Sequence, residues 1–233
     1  MEKLKVYIRW SACLLAVFLF GSLLYESLMQ QDETQTLTAG TEVAATIVID
    51  AGHGGEDGGA QANGLLEKDI NLDIALRLRD MLTAAGCNVV MTRDSDISLG
   101  KGNTVRERKV DDLKSRTKII NSDSSNILVS IHQNKFEQSK YSGTQIFCSK
   151  NDPASLQLGE SIRRSVTGLL QNDNKRELKT DDGTVYILSH ATVPAVIVEC
   201  GFLSNEQEAK MLADEEYRSK MAFAIMCGIL EAK

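Results

Sequence analysis

The sequence predicts an α/β fold with a single open, largely parallel twisted sheet and helices on both faces. Short apolar runs alternate along the chain with segments in which apolar residues recur at helical spacing. One run, AVIVEC at 195–200, is almost wholly apolar, as expected for a central strand that helices cover on both faces. Ligands of such sheets gather at the carboxyl ends of the strands, so we expect the functional residues there.

The first half of the chain predicts two strands and two helices. The strands are TIVID at 46–50 and NVVMT at 88–92. Between them, the apolar residues of 68–85 recur at helical spacing, and Gly86 supplies a stop signal. The charged segment 105–121 keeps its apolar residues on one face, which predicts a solvated amphipathic helix.

The second half predicts four more strands and three helices. The strands are expected at 126–132, 143–148, 185–188 and 195–200. Pro153 opens a helix whose apolar residues line up on one side. Ser204 and Gln207 form a predicted capping box for a short helix, and the last helix repeats its apolar side over 217–229.

The amino-terminal segment predicts an export signal. Lys3, Lys5 and Arg9 precede sixteen uncharged residues, 10–25, and acidic residues follow from Glu26 onward. This charge order places the amino terminus in the cytoplasm and the rest of the chain outside it. No small-residue cleavage site follows, which favours an uncleaved apolar anchor helix over a processed, secreted chain.

We therefore predict a signal or anchor segment at 1–25, a polar linker at 26–45 and a folded domain at 46–233, to which the functional residues considered below belong. A chain of 233 residues is long enough to bury one good core. The net charge of −6 argues against a general nucleic-acid binder. The five cysteines show no CxxC spacing, which favours buried free thiols over a zinc knuckle or a disulfide framework.

The loop DAGHGGEDGGA at 50–60 follows the first strand and places His53 among five glycines. Glycine permits the sharp turn that is needed at the end of a strand. A nucleotide-binding loop is the alternative, but Asp57 stands where GxGxxG requires its third glycine, and no GK[ST] follows. A lone histidine in a loop is a weak signal, so its value depends on the residues that join it.

Three residues are predicted to join His53 at one edge of the sheet. His132 ends the third strand, Glu67 opens the first helix, and Glu199 lies near the end of the strand at 195–200. Two imidazoles and one carboxylate match the His₂Glu set that holds a catalytic zinc ion and leaves one position for water. The alternatives are that Glu67 only complements a helix N-terminus and that His132 is a hydrogen-bonded core histidine.

Glu199 has a different predicted role. A carboxylate within VPAVIVEC would be buried without a partner, at a cost of several kcal/mol. A water activated by zinc supplies that partner, because the carboxylate can take its proton during attack and return it to the leaving nitrogen. We therefore predict one zinc ion at His53, Glu67 and His132, with Glu199 as general base and acid.

Four motifs occur in the order DAGHGGEDGGA, GLLEKDIN, SIHQN and VECGFLSN. Together they resemble the zinc-dependent N-acetylmuramoyl-L-alanine amidases of the type 3 family, over the whole chain from residue 46 to its end. The resemblance implies zinc ligands at His53, Glu67 and His132 and a catalytic acid and base at Glu199. It also implies cleavage of the amide between the lactyl group of muramic acid and the L-alanine of the peptidoglycan stem peptide.

The anchor and the segments VRERKVDDLKSRTKIIN and LSHATVPA resemble the germination-specific members of that family in spore-forming bacteria. This implies action on the spore cortex in making muramic-δ-lactam, between the forespore and mother-cell membranes, and an activating protein partner. Two departures from the family pattern, Lys135 in SIHQNK and the pair Ser189-His190, leave the metal set intact and bear on substrate preference.

Other polar residues have two interpretations. Asn71, one turn into the first helix, is expected to support the glutamate that opens that helix. Asn134 either contacts substrate or caps its loop. Arg93 and Arg116 either form structural ion pairs or bind a substrate carboxylate, and His190 has no assigned role.

Two other functions fit parts of the sequence. A zinc peptidase that cuts within the stem peptide would use the same metal chemistry with a different pocket. An inactive wall-binding module would need a damaged metal set, whereas all four key positions are filled. In all three cases the ligand or substrate is peptidoglycan and not nucleic acid. Contact with the membrane is expected through the N-terminal segment alone.

Overall fold

A computed structural model describes residues 45–232. The strands are β1 Thr46–Ala51, β2 Gln61–Ala62, β3 Leu65–Leu66, β4 Asn88–Met91, β5 Ile127–Asn134, β6 Gln145–Cys148, β7 Lys179–Thr180 and β8 Ala195–Phe202. The helices are α1 Glu67–Ala84, α2 Val105–Ile120, α3 Ala154–Leu169, α4 Tyr186–His190, α5 Glu206–Ala213 and α6 Glu215–Ala232. The predicted anchor and all but the last residue of the predicted linker lie outside the described residues. Within 45–232, no helix has both the length and the apolar character that a membrane span requires.

One six-stranded sheet, in the order β4-β1-β5-β8-β6-β7, confirms the predicted fold class. Strand β6 runs antiparallel to β8, and the other neighbouring strands of this sheet are parallel. Strands β2 and β3 form a separate antiparallel ribbon that the sequence analysis did not predict. In the β5–β8 register, His132 stands opposite Glu199. Two predicted site residues therefore lie on adjacent strands.

Helices cover the sheet on both faces. Helices α1, α3 and α6 pack over the larger core, and α2 and α4 pack over the smaller one. Side chains along a strand point alternately to the two faces. Asp50, Ser130, His132 and Glu199 therefore share the face that α2 and α4 cover.

Two local predictions are wrong. The predicted strand at 185–188 belongs to helix α4, Tyr186–His190, which buries apolar side chains against the sheet. A run of four apolar residues fits either element, and packing on the sheet decides between them. Helix α5 is capped by Asn205 and not by the predicted capping box of Ser204 and Gln207, because the Asn205 side chain accepts two N–H groups of the first turn.

Helix α2 also differs from a fully solvated charged helix, because Arg116 is only 2% exposed. Its guanidinium donates to Asp50 at 2.7 Å and to Asp112 at 2.6 Å. The hydroxyls of Ser130 and Thr92 also donate to Asp50. Burial alone would raise the pKa of Asp50, but the charge of Arg116 and the two hydroxyls lower it to about 2. Arg116 is therefore a structural ion-pair partner.

We expect Arg116→Met to lower the free energy of unfolding at pH 7 by about 3–5 kcal/mol, because it leaves Asp50 as a buried charge without a partner. In the native protein, the ionised Asp50 contributes stability above about pH 4, and this contribution is lost as the pH falls through about 2. Chemical denaturation between pH 2 and pH 7 tests both statements. The control is Arg106→Met, on the exposed side of the same helix, which should stay within about 0.5 kcal/mol of wild type. Equal losses in the two variants would contradict the assignment.

Candidate metal centre

Three side chains from distant parts of the chain meet at the carboxyl edge of the sheet. His53 follows β1, Glu67 begins α1, and His132 lies in β5. Glu67 Oε1 lies 2.8 Å from His132 Nδ1 and 3.3 Å from His53 Nε2. One ligand atom from each residue lies within 4.8 Å of the others. The three residues predicted as ligands are therefore close enough to share one ion.

Backbone strain and Asp57 set the orientation of His53. Its φ of 62° lies in the left-handed region, which residues other than glycine seldom adopt, and its carbonyl accepts Arg116 Nη2 at 2.7 Å. The Asp57 carboxylate lies 2.9 Å from His53 Nδ1 and 3.5 Å from Lys109 Nζ. This contact at Nδ1 leaves Nε2 as the nitrogen that is available to a metal. Asp57 was not predicted as a site residue, although a carboxylate four residues after a loop histidine was a usable signal.

Two glycines allow the side chains to approach this closely. The His132 ring packs its Nε2 edge against Gly52, where an added Cβ would stand 2.2 Å from Nε2. That packing directs Nδ1 toward Glu67. At Gly59, a Cβ would stand 2.6 Å from Glu67 Oε2 and 2.7 Å from His53 Cδ2. These glycines therefore make room for the site as well as turning the chain.

Besides the two imidazoles, three hydrogen-bond donors hold the Glu67 carboxylate in place. Its Oε2 accepts the N–H of Ala60 at 2.7 Å, and its Oε1 accepts the N–H of Gln133 at 3.1 Å. Asn71 donates to Oε1 at 3.3 Å and to the carbonyl of Gly52 at 3.1 Å. Asn71 thus contacts the carboxylate that it was expected to support, and it ties α1 to the glycine loop.

The chain beyond the glycine loop is fixed to a distant strand. Strands β2 and β3 pair around a turn that contains Asn63, whose φ is 50°. The Asn63 side chain donates to the carbonyl of Leu203 at 2.8 Å, directly after the end of β8. This hydrogen bond joins the segment after His53 to the strand that carries Glu199.

The charges of the site depend strongly on one another. Burial would raise the pKa of Glu67, but hydrogen bonds and charges from His132 and His53 hold that pKa well below its usual range. Burial would lower the pKa of His132, but Glu67, with smaller effects from Glu199 and Asp50, raises it to about 9. Glu67 is therefore ionised at neutral pH, which is the form that binds metals.

Glu199 lies beside this cluster, opposite His132 in the neighbouring strand. Its Oε2 is buried and has no hydrogen-bond partner in the part of the chain that the structure describes. Burial, opposed by the charge of His132 and assisted by that of Glu67, raises the pKa of Glu199 to about 7. A carboxyl group with a pKa near neutrality and an unpartnered oxygen can both accept and donate a proton.

The remaining polar residues named from the sequence lie outside the cluster. The buried Arg93 donates to three backbone carbonyls in and beside the glycine loop, so it has a structural role. His190 stacks on Tyr186 with ring centroids 3.9 Å apart. Asn134 ends β5, and Lys135 is exposed directly after it.

The donor set fits a zinc ion. Two imidazole nitrogens and one carboxylate oxygen are the ligands of catalytic zinc sites that keep a fourth position open. Magnesium and calcium instead prefer sites made of oxygen ligands alone. The orienting contacts of Asp57 and Asn71 are of the kind that surrounds metal-binding histidines and carboxylates.

Comparison with known proteins supports the same chemistry. Residues 47–231 match the family model described as N-acetylmuramoyl-L-alanine amidase. The chain is 38% identical over 190 residues to the germination-specific N-acetylmuramoyl-L-alanine amidase of Bacillus subtilis, covering 79% of this chain and 78% of that protein. It is 33% identical over 188 residues to the N-acetylmuramoyl-L-alanine amidase LytC of the same organism, covering 80% of this chain and 35% of LytC.

A solved structure is similar as well. The CwlD amidase from Clostridioides difficile, in complex with the GerS lipoprotein, superposes with a TM-score of 0.78 and 44% sequence identity. The match covers 81% of this chain and 98% of that chain.

We expect Gly52→Ala to weaken metal binding by roughly 10–100-fold, because the added methyl group occupies the space of the His132 ring. Metal content after dialysis and calorimetric titration measure the loss. Gly168→Ala is the matched control, since a Cβ at this helical position meets nothing within 4 Å and should leave binding unchanged. Full metal binding by Gly52→Ala would contradict the proposed approach of the ring.

Metal binding should release a proton at neutral pH. Below about pH 9 the His132 imidazole of the metal-free protein holds a proton that a metal ion must displace. The apparent affinity should therefore rise about tenfold per pH unit and level off above about pH 9. Titration calorimetry at pH 7 in two buffers with different ionisation enthalpies measures the released proton. Binding that releases none would show that His132 is already neutral.

Proposed function

Since this chain belongs to the N-acetylmuramoyl-L-alanine amidase family, we propose that it cleaves peptidoglycan with zinc held by His53, Glu67 and His132. The bond is the amide between the lactyl group of muramic acid and the L-alanine of the stem peptide. The observation that carries this proposal is the meeting of the three side chains beside Glu199.

Glu199 is the proposed proton carrier. Its unpartnered Oε2 accepts a proton from the water that attacks the amide carbonyl, and the resulting carboxyl group delivers that proton to the leaving nitrogen. The raised pKa of about 7 favours this exchange, because the group is neither too weak a base nor too weak an acid near neutral pH. When it is bound, the zinc ion supplies Lewis-acid assistance to the water and to the carbonyl.

Two neighbours serve as positioning residues in this proposal. Asp57 accepts from His53 Nδ1 and so fixes which nitrogen faces the ion. Asn71 keeps the Glu67 carboxylate in place and links it to the glycine loop. Neither residue is assigned a contact with the reacting atoms.

The setting of the reaction is inferred from relatives and from the N-terminal sequence. Similarity to a germination-specific amidase supports spore cortex as the substrate and muramic-δ-lactam formation as the outcome. We place the enzyme outside the cytoplasm, in the space between the forespore and mother-cell membranes. Residues 1–25 would anchor it, 26–45 would link, and 46–233 would form the catalytic domain. The complex of CwlD with a lipoprotein supports an activating protein partner for this chain too.

We expect Glu199→Gln to retain zinc and to lose about 10²–10⁴-fold in kcat, because the amide cannot carry the proton. His132→Ala should lose both zinc and turnover. Zinc content and mass spectrometry of digested muropeptides separate these outcomes, since the amidase leaves free L-alanine amino termini. The matched control is Glu206→Gln, an exposed carboxylate in the first turn of α5. Full activity of Glu199→Gln would contradict its role, and shortened stems still attached to muramic acid would indicate a peptidase.

A further inference from the structure

Three polar side chains stand in order across neighbouring strands of the sheet. On one face, the metal-ligand candidate His132 of β5 stands beside Glu199 of β8, and Glu199 stands beside Gln145 of β6. Side chains directly opposite each other in neighbouring antiparallel strands have their Cβ atoms about 4.5–5.5 Å apart. The β6 side of Glu199 is therefore the side away from the metal ligands, and a peptide that leaves past Glu199 would extend there.

The guanidinium of Arg176 lies on that side of Glu199, next to Gln145. Arg176 stacks over the ring of Phe202 at 4.6 Å, and its Nε donates to the carbonyl of Ser142 at 2.7 Å. Its Nη1 lies 3.4 Å from Gln145 Oε1, and Gln145 is itself held by a 2.6 Å bond to the carbonyl of Glu177. The arginine is therefore held in one orientation beside the neighbour of Glu199.

Arg176 forms no ion pair in the part of the chain that the structure describes, although its charge opposes the rise that burial causes in the pKa of the nearby Glu208. Within residues 45–232, its guanidinium bonds only to the Ser142 carbonyl and the Gln145 side chain and forms no ion pair, so Nη2 is free to donate. Other arginines of the domain, such as Arg77, Arg116 and Arg163, are paired with carboxylates. A planar guanidinium with open donors is suited to bind a carboxylate.

The surroundings of Arg176 leave room for a ligand. It borders a cavity of about 590 Å³ between the loop before β6 and the loop after α3. That volume falls within the range of small-molecule sites, which is about 300–1,000 Å³. The cations Lys140 and Lys175 and the carboxylates Asp173 and Glu208 line the same cavity, so Arg176 adds to a mixed charge there.

We propose that Arg176 is a specificity-determining residue that binds a carboxylate of the stem peptide on the leaving side of Glu199. This inference rests on the proposed function, which supplies the peptide. A stem peptide in which the residue after L-alanine carries a free carboxylate would present that group to this cation. Arg176 binds that carboxylate, which belongs to the residue after the L-alanine whose amide is cleaved.

The test compares two muramoyl peptides that differ only at this group, one with the free α-carboxylate and one with the α-carboxamide. The zinc-loaded full chain should prefer the carboxylate substrate by about 10–100-fold in kcat/KM, chiefly through KM. Arg176→Gln should lose that preference by raising KM for the carboxylate substrate alone, and Arg176→Lys should keep part of it. Lys175→Gln, an exposed neighbour that lines the same cavity, is the control and should keep the full preference.

Binding of the released peptide gives a second measurement that does not depend on turnover. Calorimetric titration should detect the carboxylate peptide with wild type and with Lys175→Gln, and should show much weaker binding with Arg176→Gln. Equal cleavage of both substrates by wild type, or equal losses on both by Arg176→Gln, would overturn the proposal. If wild type cleaves neither substrate, the proposed function fails. Peptide binding then still tests Arg176, because Arg176→Gln that binds the carboxylate peptide as tightly as wild type would overturn its assignment.

Discussion

The position of Glu67 between two imidazoles is the interaction on which the rest of the site depends. Its carboxylate lies within 3.3 Å of nitrogens from both His53 and His132, and it is buried. An ionised carboxylate at that depth is stable only because cationic or donating groups surround it. The glycine loop, helix α1 and strand β5 must therefore all be in place before the charge can be accommodated, so folding and site assembly are one event.

The buried ion pair of Arg116 and Asp50 supports the cluster around Glu67, because it holds the loop that carries His53. Arg116 spans from Asp50, at the end of β1, to the carbonyl of His53, and so fixes the strained residue that presents the imidazole. Arg93 holds other carbonyls of the same loop. Two guanidiniums thus replace the regular backbone hydrogen bonds that the loop gives up by leaving the sheet.

The sequence predicted the meeting of His53, Glu67 and His132 because one rule governs them. Parallel strands bring their carboxyl ends to one edge. At that edge His53 follows a strand, His132 lies near the end of one, and Glu67 opens a helix. Side-chain contacts between distant segments were not predictable in the same way. The burial of Arg116 depends on Asp50, which lies 66 residues earlier, and the role of Asp57 depends on a left-handed backbone at His53. Helix α4 was misread as a strand because four residues are too few to show a period.

The bond from Asn63 to Leu203 joins positions 140 residues apart. It joins the ribbon of β2 and β3 to the residue that follows β8, the strand that holds Glu199. The segment that carries the metal-ligand candidates His53 and Glu67 is thereby linked to the strand that carries the proton acceptor. A jaw-like opening between the two would have to break this bond as well as the pairing of β5 with β8. Selectivity for the glycan and its peptide is then expected to arise from the shape and charge of the cleft more than from closure.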